Sequence, residues 1–304
     1  MTARSGPRVT VGLPVFNGEQ YLAAAIESIL SQTFVDLELI ISDNASTDAT
    51  SDICRRYLSC DKRIRYVRQS QNLGAARNYN FTVESACGEY FKWAAHDDLC
   101  APQLLERAVA ILDAHPEVVL AYPQTMMIGS AGESLGLHPD GLNLRAPQPH
   151  LRYRAFHRLY RRPFTCNPVF GVMRAAVLRQ TARIGNYVSS DMVLLGELAL
   201  RGQILEIPEP LFFRRDHPGT SVRAYPRSQS RAAWFDPTKE GKYEALRWRW
   251  FREYVSAITR DPMPMGEKLR CYAELRHWLQ WNAGGLSKDL VKAFLSPVSG
   301  VVSS

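Results

Sequence analysis

Val9-Thr-Val-Gly-Leu-Pro-Val-Phe-Asn-Gly-Glu-Gln-Tyr-Leu22 is the stretch that decides the fold. A short β-rich run stops at Asn17-Gly18, and Tyr21, Leu22, Ala25, Ile26, Ile29 and Leu30 then recur at helical spacing. The same strand, turn and helix order repeats downstream. Leu37 to Ser42 is a continuous apolar strand followed by Asp43-Asn-Ala-Ser-Thr-Asp48 and a helical stretch through Ile53, Tyr57 and Leu58. Arg63 to Arg68 alternates as a third strand, Asn72-Leu-Gly74 breaks it, and Ala75 to Ser85 reads as a helix. Tyr90 to Ala95 is a fourth strand, ending in His96-Asp97-Asp98.

Apolar strands alternating with helices require helices on both faces of a mainly parallel sheet, joined by right-handed crossovers. In such sheets ligands bind beyond the carboxyl ends of the strands, so the polar clusters at Asn17, Asp43, Asn72 and Asp97/Asp98 are expected to share one cleft. Further along, Pro102 to Ala114 reads as a helix and Val118 to Tyr122 as a strand. Met126 to Arg145 reads as a Gly-rich connection, and Met192 to Arg201 as a helix. Ile204 to Ile207 and Leu211 to Arg214 read as two short strands around Pro208 and Pro210. From about Thr238 the pattern becomes helical, with Tyr243, Leu246, Trp250, Tyr254, Val255 and Ile258 on one stripe and Leu269, Tyr272, Ala273, Arg276 and Leu279 on a weaker one.

Composition bounds the rest. The chain has 304 residues, 46% apolar and 22% charged, which places it among ordinary globular proteins and against disorder. No apolar run is long enough to cross a bilayer, and the polar N-terminus, Met1 to Arg8, has no signal-peptide core, so a cytoplasmic location is expected. The six cysteines show no paired spacing and read as free thiols. The net charge is +7, and between Gly141 and Ser190 there are nine arginines with no Asp, Glu or Lys. That field points either to an anionic partner or to a merely solvated face.

The blocks Val11 to Leu22, Ile40-Ile-Ser-Asp-Asn-Ala-Ser-Thr-Asp48, Asn72-Leu-Gly-Ala-Ala-Arg-Asn78 and His96-Asp-Asp98 strongly resemble family 2 glycosyltransferases of the GT-A fold. The resemblance is close from Val9 to about Pro102 and looser to about Ser221. It implies an α/β, GT-A-like, mixed and mainly parallel sheet flanked by helices, with a C-terminal helical extension. By the same resemblance, residues 1–230 form the glycosyltransferase domain, its nucleotide half at about 8–100 and its acceptor half at about 101–230, while 231–304 form the extension.

The residue roles are likewise what the resemblance implies. Pro14, Phe16, Asn17 and Glu19 frame the nucleotide, and Asp43 hydrogen-bonds the base. Asn72, Gly74 and Arg77 lie near base and phosphate. Asp97 belongs to the donor site, and Asp98 ligates Mg²⁺ or Mn²⁺, the expected cofactor beside a nucleotide-diphosphate sugar as co-substrate. His96 stands where relatives often carry an Asp, which leaves the motif one carboxylate short. Asp191, opening a helix after Ser189-Ser190, is the expected general base, although an N-cap role is the alternative. In Phe213-Arg-Arg-Asp-His-Pro-Gly-Thr-Ser221, Arg215 is expected at the pyrophosphate and His217 at the metal.

These roles amount to an inverting transfer from a nucleotide-diphosphate donor, UDP favoured, to the hydroxyl of an acceptor glycan, glycolipid or small molecule. Bacterial glycan, glycolipid or glycosylated natural-product biosynthesis is the expected setting. A catalytically silent sugar-nucleotide-binding homologue and a nucleotidyltransferase are the alternatives. No nucleic-acid partner is expected, because no helix-turn-helix, zinc-finger or aromatic RNP pattern is present. Arg247-Trp-Arg-Trp-Phe-Arg252 sets Trp248 opposite the Trp250 stripe. This suits a peripheral membrane contact or sugar ledge, or a helical hairpin packed over the cleft or against a second subunit as a homodimer.

Overall fold

A computed structural model describes residues 6–161, 165–226 and 228–295. The elements, in chain order, are β1 (Val9–Val15), α1 (Leu22–Leu30), β2 (Leu37–Asp43), α2 (Thr50–Cys60), β3 (Ile64–Arg68), α3 (Ala75–Glu84), β4 (Tyr90–Trp93), β5 (Leu99–Cys100), α4 (Leu104–Ala114), β6 (Val118–Ile128) and β7 (Ser134–His138). They continue with α5 (Pro149–Leu159), β8 (Val172–Arg174), α6 (Ala175–Arg179), α7 (Ser190–Arg201), β9 (Gln203–Arg215), α8 (Ser221–Ala224), α9 (Ser228–Phe235), α10 (Leu246–Arg260) and α11 (Met265–Leu295).

One sheet runs β3-β2-β1-β4-β8-β6-β9-β5, with β7 hairpinned onto β6. The pairs β1·β2, β1·β4, β2·β3 and β6·β9 are parallel, while β8, β5 and β7 run against their neighbours. The sheet is therefore mixed and mainly parallel, as expected. Every residue of β1 is buried, because it lies between two strands with helices on both faces. One face is sealed by Leu22, Ala25, Ile26 and Ile29 of α1, Cys54 of α2, and Leu104, Leu105, Ala108, Val109 and Leu112 of α4. The other is sealed by α3, α5, α6 and α7, joined in one apolar cluster by Tyr254, Ala257 and Ile258 of α10 and by Cys271, Leu275 and Trp278 of α11. Each such aliphatic side chain contributes about 1.5–3 kcal/mol by leaving water.

Two readings are corrected. The two short strands around Pro208 and Pro210 are one strand, β9. Its pairing with β6 shifts register at Pro123/Gln124 and Gln124/Thr125, beside the two exposed prolines of β9, so the strand continues through them. The Gly-rich connection contains the end of β6 and all of β7, whose outward Leu135 and Leu137 gave no burial pattern.

Five of the nine arginines between Gly141 and Ser190 have partners inside the fold. Arg152 is buried and donates to the carbonyls of Ala199, Leu200, Ala146 and Pro147, closing the end of α7. Arg174 does the same for Leu112, His115 and Val118 beyond α4. Arg154 pairs with Glu274, Arg183 with Glu84, and Arg179 donates to Ala86 O. Arg162 lies outside the described residues. Carbonyls at helix ends carry partial negative charge and take cations well, which gives these arginines partners inside the fold.

No helix among the described residues is long and apolar enough to cross a membrane. Trp250 donates to Val188 O and Trp248 to Leu286 O, so both indoles are tied to neighbouring elements.

Candidate functional site

The register Val15↔Asp43 between β1 and β2 brings the loops after these strands to one edge of the sheet, where the loop after β4 joins them. There they enclose a cleft of about 800 Å³, lined by Pro14, Phe16, Asn17, Asn72, Asp97, Asp98 and His217 among the expected residues. Asn44, Tyr79, His96, Arg214, Tyr225 and Trp234 line it as well.

The nucleotide-side loops are stitched to each other. Asn17, at φ 51°, donates through its backbone to Ser46 Oγ at 2.9 Å and accepts from Thr47 N at 2.8 Å. Glu19 is exposed and accepts from Ala49 N ahead of α2, outside the cleft lining. Asp43 is wholly buried below the cleft. Its carboxylate takes Ser46 N–H and the Tyr66 hydroxyl at 2.8 Å each, with Arg68 Nε at 3.5 Å. Burial pushes the Tyr66 hydroxyl up to about 12, so it remains a donor. Asn44, the next residue, reaches the cleft, donating to Asn72 Oδ1 at 2.8 Å.

Asn72 Oδ1 also accepts from Gly74 N–H. Gly74 sits at φ 81°, ψ 159°, and a Cβ there would stand 2.6 Å from Phe235 O and 2.7 Å from Pro237 Cδ. Only glycine fits such a backbone at such contact. Arg77 is exposed on α3 and outside the cleft lining.

At the other end, Asp97 Oδ2 lies 2.9 Å from His217 Nε2. Gly219 N–H donates to His217 Nδ1, which leaves the ring proton on Nε2, pointing at Asp97. Burial opposes ionisation of Asp97, but the His217 hydrogen bond and the nearby His96 outweigh it and hold this carboxyl below its ordinary range. Asp98 moves the other way, because burial and the charge of Asp97 raise it against the Arg215 N–H that donates to Oδ1 at 2.8 Å.

Arg215 does not reach the cleft lining. Its guanidinium donates to the carbonyls of Asp97, Gly129 and Ser130 and lies over the Tyr21 ring at 4.5 Å. Strand alternation instead sends Arg214 into the cleft, where it donates to Asn167 Oδ1 at 2.8 Å and its charge acts on both Asp98 and Asp191. Alternation along β9 was the signal that separates the two arginines, hidden by the split at the prolines.

Asp191 opens α7 behind Ser189, which adopts φ 62° without capping the helix with its side chain. Its Oδ1 accepts Met192 N–H at 2.9 Å, and it faces the Cys166 thiol. Burial raises its pKa, against the pull of Met192 N–H, Cys166 and Arg214. It is not among the lining residues, but Tyr79, which is, has its hydroxyl pushed up by burial and by the charges of Asp97, Asp98 and Asp191 together.

A family model described as glycosyl transferase family 2 matches residues 10–181, more than half of the chain. The chain belongs to this family. It is 40% identical over 112 residues to the putative glycosyltransferase EpsE of Bacillus subtilis, covering 36% of this chain and 40% of that protein. To an uncharacterised glycosyltransferase of Haemophilus influenzae it is 27% identical over 235 residues, 75% of this chain and 71% of the other. The chain spans less than half the length of the first curated relatives it matches.

The fold is that of the S. aureus TarS fragment 1–349, at a TM-score of 0.61 and 18% identity over 92% of this chain and 74% of that one. The same fragment in complex with UDP aligns at 0.57 and 18% identity, covering 93% and 88%. The mannosyltransferase PcManGT of Pyrobaculum calidifontis, solved with GDP-Man and Mn²⁺, aligns at 0.53 and 19% identity, covering 98% and 77%.

Proposed function

We propose that this family 2 member transfers a sugar, with inversion, from a nucleotide-diphosphate donor, UDP first, to an acceptor hydroxyl. The observation that carries the reading is the single cleft that unites the Phe16–Asn17 and Asn44–Asn72 loops with Asp97, Asp98, His217 and Arg214. A structural neighbour holds UDP and another GDP-Man with Mn²⁺, which supports a nucleotide-sugar donor here.

Phe16, Asn17, Asn44 and Asn72 offer an aromatic face and amides for base and ribose, with Asp43 ordering their loop from below. The described residues contain no group of three or more His, Cys, Asp or Glu able to hold a metal by themselves. Asp97 and Asp98 still fit a divalent cation of the kind completed by phosphate oxygens and water, since Mg²⁺ binds diphosphates through only one or two carboxylates, and His217 would join them only by giving up the Nε2 proton it points at Asp97. An ion bound there would supply positive charge to the leaving diphosphate. Arg214 adds a fixed positive charge between the acid pair and Asp191.

Asp191 takes the proton of the acceptor hydroxyl, and the raised pKa that burial gives it brings its basicity closer to working pH. The test is Asp191→Asn, measured as UDP release from UDP-sugars with acceptor extract and as UDP binding by calorimetry. Turnover should fall at least about a thousandfold with donor affinity unchanged. Retained turnover removes Asp191 from the chemistry.

A further inference from the structure

One wall of the cleft comes from residues after His217 that have no part in the chemistry above: Tyr225, Ala233, Trp234 and Pro237. Where this wall stands is fixed by its contact with α3. Phe235 O and the Pro237 ring press on Gly74, Gly74 N–H donates to Asn72 Oδ1, and Asn72 Oδ1 accepts from Asn44 Nδ2. Trp234, next in chain to Phe235, lines the same cleft as Asn44 and Asn72.

Its ring is held in place rather than free. Phe235 meets it edge-on at 4.9 Å and 84°, and Tyr225 leans on it at 6.3 Å and 34°. Tyr225 is pinned through its carbonyl by two Arg231 donors, and Asp236 ties the segment to Asn186 at 2.9 Å while capping Thr238. A fixed indole lining the same cleft as the Asn44 and Asn72 amides supplies a π-face alongside hydrogen-bonding edges, the combination that a flat heteroaromatic ring calls for.

We propose that Trp234 stacks on the base of the bound nucleoside diphosphate, so that the α9 wall recognises the nucleotide rather than the sugar. This rests on the donor reading above. It assigns α9 to the donor site, although the boundary expected at residue 231 runs through that helix.

The full chain, with Mn²⁺ present, is titrated by calorimetry with UDP, GDP and TDP, and separately with inorganic pyrophosphate, which carries the charge without the base. For the nucleotide that binds wild type best, Trp234→Ala should weaken binding about tenfold, equivalent to about 1.4 kcal/mol. Trp234→Phe, which keeps an aromatic face, should stay within about twofold of wild type. Pyrophosphate should bind all three proteins alike. Unchanged nucleotide affinity in Trp234→Ala overturns the proposal, as does an equal loss for pyrophosphate, which would place the indole at the phosphates or in the packing. Wild type that binds none of the three nucleotides overturns the donor reading first, and this one with it.

Discussion

Replacing Gly74 by alanine is the most informative single change at the join between the α9 wall and the nucleotide loops. Two independent costs meet there. At φ 81°, ψ 159° the backbone lies in a region that essentially only glycine occupies, which costs an L-residue about 1–3 kcal/mol. The new methyl would also stand 2.6 Å from a carbonyl oxygen and 2.7 Å from a proline ring, neither of which is the loose end of a side chain. Overpacking of this kind costs about 1–3 kcal/mol more. The sum, about 2–6 kcal/mol, is a large share of the stability of a typical domain, about 5–15 kcal/mol. Gly241 is the control, since it too has positive φ, at 71°, but nothing stands within 4 Å of its Cβ position. Gly241→Ala should therefore show strain alone, about 1–2 kcal/mol. The assay is urea unfolding followed by far-UV circular dichroism, with the midpoint shift read at unchanged slope. A Gly74→Ala change below about 1 kcal/mol, or no larger than that of Gly241→Ala, refutes the packing argument.

Other perturbations separate structural from functional charge. Arg152→Ala strands four carbonyl acceptors around the end of α7 and should cost about 3–5 kcal/mol in urea unfolding, whereas Arg145→Ala, on an exposed residue that donates to Asn143, should stay within about 0.5 kcal/mol. His157 is buried among Tyr153, Phe156 and Tyr254, neither ring nitrogen hydrogen-bonds to any of the described residues, and burial lowers its pKa to about 3. Between that value and the unfolded 6.5 the unfolded chain binds the extra proton. Stability should thus fall as pH drops through this window, by about 1.4 kcal/mol per unit from this residue. His157→Phe should flatten the dependence between pH 6.5 and 4.5, and parallel curves for the two proteins would refute the assignment. Arg214→Gln should weaken UDP binding or turnover at least about tenfold, while Arg215→Gln should act mainly on stability, because its donors are spent on carbonyls; equal kinetic effects would contradict the division.

The first hundred residues were legible because β1, β2 and β4 are buried almost throughout and read as largely apolar runs, while β3 alternates, and each is followed at once by its polar loop. Asp97, Asp98 and the Phe16–Asn17 loop meet in the cleft on the strength of that order, and His217 joins them from beyond β9. Legibility failed where charge and burial coincide. Arg152, Tyr153, Phe156 and His157 form the buried face of α5, yet arginines turned inward to cap carbonyls look in sequence like a solvated or anion-binding surface. It failed again at β9, where a bulge absorbs two prolines that ordinarily end a strand, so the facing of Arg214 and Arg215 could not be read. Trp234 was invisible for another reason. Contacts with residues far away in sequence, Phe235 and Pro237 with Gly74 and Asp236 with Asn186, hold the segment that carries that indole at the cleft.

The central claim, that the cleft binds a nucleoside diphosphate with a divalent cation, is tested most directly by thermal unfolding of the full chain against UDP, GDP and TDP, each with and without Mn²⁺. At a hundred times Kd a ligand that binds only the folded state adds about 2.7 kcal/mol, so one of the three should raise Tm by several degrees, and more with Mn²⁺ than without. No rise with any of them at millimolar concentration, with or without Mn²⁺, would contradict it.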